Sequence, residues 1–235
     1  MSLIEDFNRI ANLPEEGWDH NSQYHGYLLR QLPRKMNLAL DVGCGTGRFS
    51  RLLAERAESV VAVDISPEMI RIARQRSTGY RNIDYIVADI SKRHYAEESF
   101  DAVVSIAALH HLPLRPMLKA LSGTLKPGGV LAVLDLVRSE ETGLRLWDAM
   151  GVTANFILRL AHLGRLSGSP EVQEAWEAHG RSDRLLSINE VRDTCRDVLP
   201  GALVRRHILW RYSIVWHKPP LAQIRLETAR QETIG

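Results

Sequence analysis

Cysteine is scarce in this chain of 235 residues. Two are present, Cys44 in a glycine-rich stretch and Cys195 in a helical pattern, so neither a disulfide framework nor a four-ligand structural zinc site is expected. No apolar run reaches the length of a membrane-spanning helix. The opening residues, Met1 to Asp6, turn acidic early and lack the apolar centre of a signal peptide, so a cytoplasmic protein without a membrane span is expected. An excess of one charge is missing too. The formal net charge is +2, only five of the 30 basic residues are lysine, and no basic run or stripe stands out, which argues against a nucleic-acid partner. There is no internal repeat and no low-complexity tract. A chain of this size can bury roughly 70–75% of its unfolded surface and fold without a metal or disulfide.

What is present is an alternation of strand and helix signals. Short apolar runs at 38–42, 59–64, 83–87, 100–106 and 129–136 read as strands, and the intervening segments carry helical spacing. Phe49, Leu52, Leu53 and Ala57 share one face; Ser66-Pro67 reads as a helix start, with Met69, Ile70 and Ala73 pointing inward. Such alternation implies a doubly wound α/β sheet, mostly parallel. Residues 1–37 read as an N-terminal helical cap. A helical insertion, 138–186, follows the fifth strand and opens on a long helix over 140–163, with a shorter helical piece near 171–180. Ser187-Ile-Asn-Glu190 is a capping box opening another helix. Residues 202–217 read as two strands pairing antiparallel at the sheet edge, and 218–235 as a polar tail.

The densest signal is Leu40-Asp-Val-Gly-Cys-Gly-Thr-Gly47, a buried strand running into a glycine turn and then a helix. Glycines at such a turn let backbone approach a ligand closely. Twenty-three residues after Asp41 the next strand ends in Asp64, placed to accept hydrogen bonds from ribose hydroxyls. Two nucleoside cofactors fit. A dinucleotide site wants Gly-x-Gly-x-x-Gly facing a pyrophosphate; here the spacing is Gly43-x-Gly45-x-Gly47. Asp41 beside the turn is an anion poorly placed for a phosphate and well placed for an amine. An amino-acid end, a ribose and an adenine describe S-adenosyl-L-methionine.

On these residues the chain resembles the class I, seven-stranded S-adenosylmethionine-dependent methyltransferases. The motifs carrying the resemblance are Leu40 to Gly47, Val61-Ala-Val-Asp-Ile-Ser66, Val87-Ala-Asp-Ile90, Phe100-Asp-Ala-Val-Val-Ser105 and Leu125-Lys-Pro-Gly-Gly-Val130. The resemblance implies a Rossmann-like domain over 38–217 whose seven-stranded sheet has an antiparallel edge strand. It implies that Gly43 and Gly45 bring backbone against the methionine portion while Asp41 holds its amino group. Asp64 would grip the ribose, Ile65 and Met69 the adenine faces, and Asp89 and Ile90 the adenine edge. It disfavours nucleobase chemistry, since no Asn/Asp-Pro-Pro-Tyr/Phe or Pro-Cys element is present.

The expected reaction is methyl transfer to a small, partly apolar metabolite by in-line displacement, in which the protein aligns the partners and excludes water. His110 and His111 follow the fourth strand, where the carboxyl ends of parallel strands face a ligand crevice. Either could take a proton from the acceptor, with Asp135 orienting the histidine or binding the acceptor. Tyr24, Trp147, Met150, Phe156, His162 and Trp176 are candidates for an apolar lid. A nicotinamide-dependent oxidoreductase and a non-catalytic binding module are the alternatives. No metal is expected.

Overall fold

The computed structural model describes residues 3–14, 17–138, 145–164, 170–180 and 183–220. Seven strands form one sheet: β1 (Met36–Val42), β2 (Ala57–Asp64), β3 (Ile83–Val87), β4 (Phe100–Ile106), β5 (Leu125–Leu136), β6 (Leu203–His207) and β7 (Arg211–His217). Their spatial order is β3-β2-β1-β4-β5-β7-β6. The first five run parallel, and β7 pairs antiparallel with both β5 and β6. The expected antiparallel edge pair is therefore present, with β7 the reversed strand inside it. Strand order turns back between β1 and β4, so the loops after these two strands diverge and open a crevice at the carboxyl end of the sheet.

Both faces of the sheet are covered, which is why its central strands are apolar at successive positions. On one face Leu40, Val103, Leu131 and Val133 pack with Leu118 and Leu121 of α5 (Leu114–Thr124) and Val191 and Cys195 of α8 (Ile188–Val198). On the other, Ala39, Val60, Val104 and Leu134 meet Leu28 of α2 (His25–Gln31) and Phe49 and Leu53 of α3 (Arg48–Ala54). Residues next to each other in β1, Ala39 and Leu40, belong to different clusters, as period-two geometry requires. The Ser187 capping box forms as expected, and Ser66 caps α4 (Pro67–Arg76) by accepting from Met69 N.

Several boundaries differ from the sequence reading. Ala57 is the first residue of β2, paired with Met36, and is not part of the helical face of Phe49. β5 starts at Leu125, four residues early, because Lys126-Pro-Gly-Gly129 is carried as an irregularity in its ladder with β4. The N-terminal segment holds α1 (Leu3–Ala11), a single 3-10 turn (Ser22–Tyr24) and α2, with β1 beginning at Met36. In the insertion, α6 (Arg145–Leu163) and α7 (Pro170–Gly180) form; the expected helical residues 140–144 and most of the expected tail, 221–235, lie outside the described residues. α1 lies across α4 and α7. No described helix is long and apolar enough to cross a membrane.

Candidate active site

The crevice at the β1/β4 divergence is a cavity of about 740 Å³, lined by the loops after β1, β2, β3 and β4 and closed over by α1 and α7. Asp41, Gly43, Gly45, Asp64, Ile65, Met69, Asp89, Ile90, His110 and His111 all line it. Residues from four separate loops are brought together, so the sequence motifs converge on one volume.

The three glycines of the first loop all have positive φ, and they divide into two roles. A Cβ on Gly43 would lie 2.3 Å from Ala108 Cβ, and one on Gly47 would lie 2.2 Å from the Tyr85 hydroxyl. A Cβ on Gly45 would meet nothing within 4 Å. Gly43 and Gly47 therefore serve close packing of the loop, while Gly45 leaves room at the cavity wall. The loop amides turn inward: Gly43 N and Cys44 N donate to Val63 O at 2.8 and 3.0 Å, and Gly45 N donates to Asp64 Oδ2 at 2.9 Å. A pyrophosphate needs those amides pointing outward and free; here they are spent on β2, beside two buried carboxylates.

Asp41 is 1% exposed, and Ser50 Oγ donates to its Oδ2 at 2.6 Å. Burial pushes its pKa up to about 7, against the Ser50 bond and with help from Asp64. No cation forms a salt bridge with it among the described residues. A buried carboxyl of this kind favours a ligand that brings positive charge. Asp64 is also raised by burial, opposed by hydrogen bonds from the amides of Ser66, Gly45 and Ile65. Each carboxylate oxygen keeps a lone pair for a ribose hydroxyl. Asp89 is turned toward its own loop: Ser91 N and Oγ donate to Oδ1 at 3.0 and 2.6 Å, and Lys92 Nζ lies 3.2 Å from Oδ2. Those bonds, Ser91 foremost, lower its pKa. Met69 serves both as wall and as packing, in a small cluster with Ile10, Ile72 and Ala175. The donor set thus fits an ammonium-bearing, ribosyl ligand with an apolar slot for its base.

Deeper in the cavity His110 is fixed by Asp135. His110 N and Nδ1–H donate to the two carboxylate oxygens at 2.9 and 2.6 Å, and Leu136 N donates to Oδ1 at 2.8 Å. Asp135 is 0% exposed and does not line the cavity, so of its two expected roles the binding of an acceptor is corrected: its oxygens are engaged by His110 and Leu136 N, and it supports His110. Burial lowers the His110 pKa, but the bond and charge of Asp135, with Asp183, outweigh this and raise it. Its Nε2 is left facing Asp183 Oδ2 at 3.7 Å. His111 behaves oppositely; burial first, then His110 and His179, push it down to about 4.

Sequence reading missed His179, Asp183 and Arg211. His179 lies in the last turn of α7 and Asp183 just beyond the end of that helix, so no helical spacing in the sequence links the two. His111 Nε2 lies 3.4 Å from His179 Nε2, and its Nδ1 3.6 Å from Asp183 Oδ1. One ligand atom each from His110, His111 and Asp183 come within 4.8 Å of one another, so a divalent cation has a possible donor set here. Of the expected lid residues, Trp176 lines the cavity. Tyr24 is instead core, donating to Ile208 O; Met150 and Phe156 face outward; His162 stacks on Trp18. The Trp147 side chain lies outside the described residues.

Comparison with known proteins agrees with this geometry. Residues 40–133 match the family described as a methyltransferase domain. An uncharacterized methyltransferase of Mycobacterium tuberculosis is 32% identical over 210 residues, covering 87% of this chain and 99% of that protein. The malonyl-[acyl-carrier protein] O-methyltransferase of Salmonella typhimurium is 36% identical over 153 residues, 64% of this chain and 60% of that one. Among solved structures, the N-methyltransferase NodS from Bradyrhizobium japonicum, with S-adenosyl-L-homocysteine, superposes with a TM-score of 0.61 at 19% identity, covering 92% of this chain and 98% of that one. A glycine turn whose amides are closed to phosphate, a buried acid beside it and a near full-length relative lead to one assignment: this chain belongs to the class I, Rossmann-like methyltransferases, which use S-adenosyl-L-methionine as methyl donor.

Proposed function

We propose that the chain methylates a small, partly apolar acceptor held under α1 and α7, with His110 removing the acceptor's proton where it carries one. The observation that carries the donor half is the inward turn of the Gly43, Cys44 and Gly45 amides beside the uncompensated Asp41 carboxyl. That arrangement disfavours a dinucleotide and favours a cationic amino-acid end. When bound, the sulfonium supplies an already activated methyl group. Asp41 holds the amine, the Gly43–Gly45 backbone borders the methionine chain, and Asp64 binds the ribose. Ile65 and Met69 flank the adenine, while Asp89 and Ile90 meet its edge. Residues 1–37 and 138–186 close the acceptor volume on a catalytic domain spanning 38–217.

The acceptor half rests on His110. Its Nδ1–H is committed to Asp135, so its Nε2 carries the free lone pair and is the proton-accepting atom. Asp135 is a positioning residue that also stabilises the imidazolium once formed. His111, held neutral by burial, is the weaker candidate and contributes to the wall. A small acceptor is consistent with a cavity of about 740 Å³ that has to hold the donor as well.

The test combines calorimetry with turnover. S-adenosylhomocysteine should bind the wild-type chain and H110Q with equal affinity, and transfer of a labelled methyl group to a metabolite extract should fall by about 10²–10⁴-fold in H110Q. Undiminished transfer by H110Q would leave alignment alone as the mechanism. Donor binding with no transfer to any extract would indicate a binding module.

A further inference from the structure

Asp41, Asp64 and Asp89 line the donor side of the cavity. Its lining also holds the arginines Arg211 and Arg159, together with Trp18, Trp210, Asp19 and His20, whose pKa burial lowers. Arg159 Nε donates to Asn155 Oδ1, which also accepts from His20 Nε2 at 2.9 Å. Arg48 lines the cavity as well, but it is paired with Asp19 at 3.1 Å.

Arg211 differs from Arg48 in having no such partner. It is 8% exposed, and no carboxylate lies within salt-bridge distance among the described residues; Asp135 and Asp19 stand farther off and only partly offset the cost of burying its charge. Its Nε donates to Asn21 Oδ1 at 2.8 Å and its Nη1 to Leu209 O and Trp210 O at 3.1 and 3.4 Å. Nη2 has no hydrogen-bond partner among the described residues. Buried charges in proteins are ordinarily paired, because removing a guanidinium from water without a counter-charge is strongly unfavourable.

The backbone that delivers this side chain is strained. Leu209 has φ +59° and Trp210 φ +54°, consecutive left-handed residues with bulky side chains in the turn between β6 and β7. Asparagine or glycine relieves such a turn, whereas bulky side chains are disfavoured in it. Strain of this kind persists where the surrounding structure holds it, and it clusters at ligand sites. Here it turns two carbonyls onto Arg211 Nη1 and sets the Trp210 ring and the guanidinium on the cavity wall. Arg211 pairs with Leu136 across β5 and β7, next to the Asp135 that fixes His110.

We infer that Arg211 is an oxyanion anchor: the acceptor carries a carboxylate or phosphate on an apolar body, and this group completes the unpaired guanidinium fork while the body lies against Trp18 and Trp210. The inference rests on the methyl-transfer reading and narrows its substrate class. A guanidinium presents parallel N–H groups that match either oxyanion, and Asn21 with the two carbonyls holds the plane of the fork while Nη2 stays available for a ligand. Arg159 adds a second positive charge to the cavity lining. Anchoring the anion on Arg211 places the rest of the acceptor between Arg211 and His110, on the path to the donor side.

The full-length chain, saturated with S-adenosylhomocysteine, is titrated calorimetrically with benzoate, benzylphosphonate and benzyl alcohol. At least one anion should bind about tenfold or more tightly than the alcohol, and whichever of the two binds better identifies carboxylate or phosphate as the native group. R211M should reduce the anion to the affinity of the alcohol, whereas R211K should retain part of the difference, because a point charge replaces the fork. S-adenosylhomocysteine should bind all three proteins alike, which also reports that the variants fold. If R211M does not bind it, the wild-type contrast and R211K decide. Equal binding of anions and alcohol to the wild type, or undiminished anion binding by R211M, overturns the inference and leaves the donor reading standing. Failure of the wild type to bind S-adenosylhomocysteine overturns the donor reading instead.

Discussion

Asp41 occupies a position where a carboxylate is disfavoured until the ligand arrives. Its folded pKa of about 7 stands above the ordinary 3.8, so between those pH values the folded chain keeps a proton that the unfolded chain has lost. Stability of the ligand-free protein therefore falls as pH rises through this window. Binding an ammonium reverses the preference, because the ion pair requires the carboxylate. Affinity for S-adenosylhomocysteine should accordingly weaken as pH is lowered below about 7 and level off above it, at up to about tenfold per pH unit for one proton. D41N should flatten that profile, weaken binding at pH 8 and raise the melting temperature of the ligand-free chain at the same pH. Calorimetry and thermal melts across the range check all three, and a D41N profile parallel to the wild type would remove Asp41 from the amine site. Asp41 and Asp64 were legible in the sequence because each lies at or next to the end of an apolar strand beside a recognisable turn. Arg211 was not, since nothing in Trp-Arg-Tyr distinguishes a buried arginine on a cavity wall from a strand-edge one. Asp135 was half legible: its place near the end of β5 could be read, but its burial beneath His110 needs the cross-strand geometry.

Among the elements, the glycine loop makes the sharpest test, because one motif contains two different constraints. G45A places its methyl in open space within the cavity, at φ +51°. It should fold, losing about 1–2 kcal/mol to the left-handed backbone, yet bind S-adenosylhomocysteine far more weakly as the methyl fills the ligand's place. G43A adds a collision with Ala108 to the same strain and should lose about 3 kcal/mol or more, with binding reduced through the displaced β4 loop. Chemical denaturation beside calorimetry separates the two; equal stability loss in both variants would contradict the division of labour. The sequence could identify the loop but not which glycine faced the ligand, because spacing carries no record of what approaches from another strand. Strands β3 and β4 were read to the residue, their starts marked by the polar neighbours Asn82 and Ser99. β5 was shortened because Lys-Pro-Gly-Gly reads locally as a turn, and only pairing with Phe100 shows the ladder continuing through it. The Leu209–Trp210 turn lay within the expected hairpin, yet its left-handed backbone runs against the preferences of both residues and carries no local signal.

At the scale of the whole molecule, the cavity is a shared product of a rigid sheet and a thin cover. α1 contributes Phe7 and Ile10 to the wall, and its Asn8 Oδ1 accepts from Ser66 Oγ at 2.7 Å, tying the helix to the N-cap of α4. Phe7 packs on the rings of His111 and His179, whose centroids lie 5.5 and 4.7 Å away, and Asp6 approaches His179 Nδ1 at 3.7 Å. The two large core clusters contain no residue of α1; only the small cluster around Met69 and Ala175 does. Cover and core are therefore energetically separable, and segments with few buried apolar partners open at lower free energy than the core. Deleting residues 1–13 should preserve the far-ultraviolet circular dichroism of the sheet and its cooperative melt. It should weaken S-adenosylhomocysteine binding modestly, through exposure of Met69 and the adenine slot. Methyl transfer should fall much further than binding, because water then enters beside His110 and the acceptor loses one wall. In the intact chain, hydrogen exchange should show α1 and α7 gaining protection together with residues 43–47 when ligand is added. If the truncated chain methylates as fast as the intact one, or if α7 gains no protection on binding, the N-terminal helix is a surface attachment and the acceptor volume must be enclosed by α6 and the β6–β7 turn alone.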